Sequence, residues 1–119
     1  MDKIQELTSA IVAGIREKKG RDIVIADLST IETAPCKTFV LCTAGSPQQI
    51  DAVVDSIEEF ARKQAGEKPA AICGRENAEW VAMDYGTVMV HVFLPEPRDY
   101  YDLEHLWDDA NIEHLPDEL

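Results

Sequence analysis

Basic residues are scarce in this chain: eleven Lys and Arg stand against twenty-three Asp and Glu, a formal net charge of −12. Nucleic acids are held by neutralising their phosphates, so this balance argues against direct binding of RNA or DNA. It favours a basic protein partner, which the field would attract. Cysteine is sparse too. Cys36, Cys42 and Cys73 form no Cys-x-x-Cys and are odd in number, which points to free, mostly buried thiols in a reducing compartment. No apolar run approaches the ~20 residues of a membrane span. The opening residues, Met1-Asp2-Lys3-Ile4-Gln5-Glu6, lack the pattern of a signal or transit peptide. A cytoplasmic protein that does not engage a membrane is expected. The three histidines, His91, His105 and His114, share no zinc-ligand spacing with the cysteines, so neither a metal nor a cofactor is expected.

What is present suits one domain: 119 residues, 45% hydrophobic and 29% charged. Ile4, Leu7, Ile11 and Ile15 repeat at helical spacing, predicting a helix over residues 2–19 that stops at Gly20. Ile23-Val24-Ile25-Ala26 reads as a buried strand, and residues 37–43 as a second. Gly45-Ser46-Pro47-Gln48-Gln49 is a clear helix start, with Ser46 as cap, Pro47 at the first position and Gln49 completing a capping box. That helix carries Ile50, Val53, Val54, Ile57, Phe60 and Ala61 on one stripe and stops at Gly66. A short strand over residues 70–74 and a hairpin over residues 80–94 follow. Pro95 and Pro97 then break the sheet, and a last short helix over residues 102–108 presents Leu103, Leu106 and Trp107. Glu96 to Leu119 holds nine acidic residues and one basic residue. Residues 111–119 read as a solvated, acidic tail beyond a domain of residues 1–110.

The fold expected is α/β in the broad sense, an α+β mixed sheet in one domain with the long helices mainly on one face. The hairpin is the most informative element. With Tyr85-Gly86 as a two-residue loop, Asp84 faces Thr87, Ala82 faces Met89, and Trp80 faces His91. Val81, Met83, Val88, Val90 and Val92 then form a plain core face. Trp80, Ala82, Asp84, Thr87, Met89, His91 and Phe93 share the other, which the helices leave thinly covered. Aromatics and Met beside a carboxylate suit a partner surface.

Chemistry is harder to find. Gly45-Ser46 between a strand and a helix is where nucleotidyltransferases hold a phosphate, but their metal-binding carboxylate pair on a strand is missing. The one Asp/Glu-x-Asp/Glu, Asp102-Leu103-Glu104, falls on a predicted helix. Asp84 is expected to accept local backbone N–H groups in its turn. No active site is expected.

The colinear set Asp22-Ile23-Val24, Asp27-Leu28-Ser29, Phe39-Val40-Leu41-Cys42-Thr43, Ser46-x-x-Gln49, Gly74, Glu79-Trp80, Asp84-Tyr85-Gly86, Val90-His91-x-Phe93 and Arg98-x-x-Tyr101-x-Leu103-Glu104-x-Leu106-Trp107 resembles the ribosomal silencing factor family, also called Iojap. The resemblance implies a nucleotidyltransferase-like single domain without catalytic carboxylates. It implies a non-enzymatic translational repressor that binds the large ribosomal subunit through its fourteenth large-subunit protein. There it would block joining of the small subunit when nutrients are short. The site so implied has Trp80, Met89, His91 and Phe93 as apolar anchors and Asp84 with Tyr85 as polar contacts. Arg98 and Tyr101 would fix the last helix at its edge. Two departures from the family pattern are Lys37-Thr38 ahead of Phe39 and Thr87 after Gly86. A nucleotide-handling enzyme of the nucleotidyltransferase type, and a module that self-associates as a homodimer through the exposed sheet face, are the alternatives.

Overall fold

The computed structural model describes residues 2–103 and 111–117. A six-stranded mixed sheet runs in the order β3-β4-β5-β2-β1-β6. Its strands are β1 (Arg21–Asp27), β2 (Thr38–Thr43), β3 (Ala71–Cys73), β4 (Trp80–Asp84), β5 (Val88–Phe93) and β6 (Asn111–His114). The pairing of β2 with β5 is parallel and the other four are antiparallel. Helices α1 (Lys3–Glu17) and α2 (Pro47–Phe60) lie against one face, and α3 (Pro95–Tyr101) follows β5. The mixed α+β single domain agrees with the sequence expectation.

Both long helices start on side-chain caps. Asp2 accepts the N–H of Gln5 at 2.8 Å, and Ser46 accepts that of Gln49 at 3.1 Å. Gln49 returns the contact by taking the Gly45 N–H at 2.7 Å, and donates to the Lys18 and Lys19 carbonyls. One side chain thus satisfies orphan groups at the start of α2 and at the end of α1. The Gly45 amide that could have met a phosphate is used internally. At its other end α2 passes into a π-helical turn, Ala61–Ala65, closed by Gly66 in the left-handed region at φ +68.

Two apolar clusters sandwich the sheet. The larger joins Leu7, Ile11 and Ile15 of α1 and Ile50, Val53 and Ile57 of α2 to Val40, Val81, Met83, Val90 and Val92 of the sheet. The helices cross closely. Gly14 lies so near α2 that an added Cβ would stand 2.9 Å from both the Ile57 Cα and the Ser56 carbonyl oxygen. Ser56 Oγ donates to the Gly14 carbonyl at 2.8 Å across that crossing. The smaller cluster, on the opposite face, gathers Val24, Ala26, Leu28, Phe39, Leu41 and Phe93, with Ile31, Ala34 and Cys36 of the 28–37 loop packed on it.

Three features differ from expectation. Residues 111–119 were expected as a tail, yet Asn111–His114 pair with β1 from Asp27↔Asn111 to Val24↔His114. Ile112 packs on the smaller cluster and Leu115 on the larger, so two apolar residues hold an otherwise acidic stretch to the sheet. Of the cysteines, Cys42 is buried, Cys36 is partly buried, but Cys73 is exposed on the short edge strand β3. The helix after β5 begins at Pro95, earlier than expected, because Pro suits the first turn of a helix. The predicted helix over residues 102–108 falls mostly outside the described residues, with Leu106 and Trp107.

Gly14→Ala is expected to lower the unfolding free energy by up to about 2 kcal/mol. This is an overpacking cost of about 1–3 kcal/mol less the ~1 kcal/mol by which Ala favours a helix. Urea denaturation followed by circular dichroism measures it. Ser9→Ala, on the exposed side of the same helix, should stay within about 0.5 kcal/mol of the parent.

Candidate functional site

The hairpin register is two residues away from the one expected. Trp80 faces Phe93, Ala82 faces His91, and Asp84 faces Met89. The loop is Gly86-Thr87, closed by Tyr85 N–H donating to the Val88 carbonyl at 2.9 Å, with Gly86 at φ +84. A positive φ at the first loop position is where glycine is favoured. Asp84 Oδ1 accepts the Gly86 N–H at 2.8 Å, the turn role expected of it. Because side chains alternate with period two, an even shift changes every partner and leaves each strand residue on its face. Trp80, Ala82, Asp84, Met89, His91 and Phe93 therefore still lie together, opposite the helices.

Tyr85 does not join them. It is 8% exposed and packs in the larger cluster on the helix side. Burial foremost, with Glu58 and Glu67 nearby, pushes its hydroxyl up to about 12. The register places it opposite Val88, one position into the core strand, rather than at the loop tip.

The rings on the site face form one stack. Trp80 lies on Phe93 with centroids 5.2 Å apart and planes at 22°. Tyr101, at the end of α3, covers Trp80 at 4.6 Å. His91 meets the edge of Phe39 at 4.9 Å, since the parallel β2–β5 register sets Phe39 beside Met89 and Leu41 beside His91. Phe39 was not among the expected site residues, because nothing local in its strand indicates that pairing. Phe93 and His91 are buried, Trp80, Met89 and Asp84 are half-buried, and Tyr101 is 49% exposed. The outward layer of the site is therefore Tyr101, Trp80 and Met89, with His91 and Phe93 beneath.

Arg98 faces inward. It is 8% exposed, and its Nη1 donates to the Asp22 carbonyl and, at 2.8 Å, to Thr43 Oγ1. Asp22 is the irregular residue of β1, at φ +51 where the pairing with β2 shifts. Arg98 thereby ties α3 to the ends of β1 and β2 and sets Tyr101 over Trp80.

Among the described residues, His91 is the one strongly perturbed group on this face. The Trp80 indole, which can only donate, gives its Nε1–H to His91 Nδ1 at 3.0 Å. The imidazole is consequently neutral with its proton on Nε2, which has no hydrogen-bond partner among the described residues. Desolvation by burial pulls its pKa from 6.5 down to about 4. The thiol of Cys42, fully buried, is pushed up to about 12 by the same effect, and that of partly buried Cys36 is raised. Among the described residues no three His, Cys, Asp or Glu side chains converge as a metal site. No helix of the described residues is long and apolar enough to cross a membrane.

A lowered folded-state pKa means that the unfolded chain binds the extra proton between pH 6.5 and about 4. Stability should therefore fall as pH drops through that window. The loss attributable to His91 between pH 7 and pH 5 is about 2 kcal/mol. In His91→Gln, whose amide oxygen can accept the indole N–H, this part of the pH dependence should vanish. Denaturant midpoints at pH 7, 6 and 5 for both proteins test it; equal slopes would refute the assignment.

The sequence and the fold can be set against known proteins. The family model "Ribosomal silencing factor during starvation" matches residues 1–118. A ribosomal silencing factor of Chromobacterium violaceum is 37% identical over 105 residues, covering 88% of this chain and 84% of that protein. A crystal structure of a Chromobacterium violaceum protein is similar with a TM-score of 0.82 and 34% identity, covering 98% of this chain and 94% of that one. A mouse protein, mitochondrial assembly of ribosomal large subunit protein 1, is 27% identical over 99 residues, 82% of this chain and 43% of its own length. With nearly the whole chain matched in sequence and in fold, the protein belongs to the ribosomal silencing factor family.

Proposed function

We propose that this protein binds the large ribosomal subunit through its fourteenth large-subunit protein and so prevents the small subunit from joining. The outcome is repression of translation under nutrient limitation, in the cytoplasm and without catalysis. The observation that carries the reading is the site itself: half-exposed Trp80, Met89 and Tyr101 over a rigid aromatic base, in a member of a ribosomal silencing family. Rigid aromatic anchors are what protein interfaces use as hot spots. The mouse relative's name, which refers to the large ribosomal subunit, supports the choice of subunit. So does the charge: a −12 chain is attracted to a basic ribosomal protein and repelled by the surrounding RNA phosphate.

The nucleotidyltransferase alternative is weakened by Gly45, whose N–H is taken by Gln49, and by the absence of an Asp/Glu-x-Asp/Glu pair from the strands of the described residues. Self-association through the site face would compete with ribosome binding and make activity fall as protein concentration rises.

Purified large subunits should carry the protein through sedimentation at physiological salt, and small subunits added afterwards should join less often. Tyr101→Ala is expected to weaken large-subunit binding by about 2 kcal/mol with little effect on stability, since half of its surface is already exposed. Trp80→Ala should cost both binding and stability, because it also strips buried His91 of its partner and Phe93 of its stack. No co-sedimentation of the parent protein would sink the ribosomal reading.

A further inference from the structure

Next to the aromatic stack a cleft of about 900 Å³ opens between residues 74–79 and α3. Two glycines, Gly45 and Gly74, are among its lining residues. At Gly74, with φ +89, an added Cβ would lie 2.2 Å from the Trp80 carbonyl oxygen, so no side chain can occupy that part of the wall. Much of the rest of its lining is aromatic: Trp80, Tyr101 and Tyr100. Tyr100 is 83% exposed, held edge-on to Tyr101 at 5.2 Å and 88°. An exposed tyrosine so placed contributes little to the fold and offers its ring to whatever enters.

Two exposed carboxylates, Glu79 and Glu96, line it, and among the described residues no Lys or Arg does. The Leu94 N–H donates to the Glu79 carbonyl at 2.9 Å, which brings the backbone of the two acidic positions to the same end of the cleft. Neither carboxylate makes an ion pair among the described residues, whereas Asp51, Asp55 and Glu58 on α2 all face Arg75. Aromatic faces and uncompensated carboxylates attract the same class of ligand, a cation. A planar cation gains from both at once, stacking on a ring while donating in its own plane to a carboxylate. Phosphate, by contrast, would meet only negative charge.

We propose that this cleft receives an arginine side chain of the basic protein partner, its guanidinium stacked on the Tyr100–Tyr101 wall and donating to Glu79 and Glu96. The inference rests on the partner reading above. It adds Tyr100, Glu79 and Glu96 to the interface, and it sets arginine above lysine because an ammonium cannot stack and fork together.

The test uses the full chain, labelled with nitrogen-15 and titrated at low salt with acetyl-Gly-Arg-Gly-amide, then with the lysine counterpart. Saturable shifts are expected at the Trp80 indole N–H and at the Gly74 and Tyr100 amides, about threefold tighter for arginine than for lysine. In Glu79→Gln/Glu96→Gln, changed only at exposed positions, the arginine peptide should bind about fivefold more weakly, and large subunits about tenfold more weakly. Shifts spread equally over the acidic face of α2, or an unchanged affinity in the double variant, would overturn the proposal. So would a single-stranded oligonucleotide that shifts the same signals more strongly than the peptide. If the peptide result holds but the parent protein ignores large subunits, the cleft assignment stands and the ribosomal reading falls. If the parent and the double variant bind subunits equally well, the reverse is true.

Discussion

The parallel pairing of β2 with β5 is the contact on which the rest of this molecule depends. It joins segments separated by the whole of α2 and the β3–β4 excursion, and it puts the two most buried strands side by side at the centre of the sheet. A parallel pair needs a crossover, and here the crossover is α2. Once α2 has packed with α1 over Val40, Val90 and Val92, that face is closed. The alternate residues of the same strands, Phe39, Leu41, His91 and Phe93, must then lie on the other face, where the 28–37 loop and α3 pack among the described residues. The candidate site face is the remainder of the core-building step.

The same constraint explains the electrostatics of the site. His91 occupies a central position of a central strand, so it is dehydrated whatever the protein binds, and its single described hydrogen bond comes from Trp80. A neutral imidazole there makes the base of the site apolar and rigid. Charge is kept to the periphery, on Glu79 and Glu96 at the cleft rim and on the helix surfaces. An apolar centre with an acidic rim is the usual division of labour in a protein interface, with the rim steering and the centre holding.

The site was legible in the sequence to an unequal degree, and particular residues show why. The membership of the hairpin face survived a wrong register because strand alternation tolerates an even slip. Tyr85 was misplaced by the same slip, since it sits at the loop, where one position decides between solvent and core. Arg98 was expected to fix the last helix at the edge of the site; it lies in α3 and points inward to Asp22 and Thr43. Its role depends on a distortion in β1 that no local pattern announces. Residues 111–119 read as a tail because their charge outweighs two apolar residues, Ile112 and Leu115, that only an adjacent open strand edge could use.

By itself the sequence determined the elements and their faces. Helical spacing, caps at Asp2 and Ser46, and period-two alternation are local physics, complete within a few residues of each position. The scarcity of basic residues likewise set the sign of the net charge before any fold was known. Only the tertiary structure decided which strands meet, that Phe39 lies against His91, and that α3 lays Tyr101 on Trp80. It alone opened a cleft between Gly74 and Tyr100. Those outcomes join residues far apart in the chain. They follow from the burial of one shared core and not from any pattern along the chain.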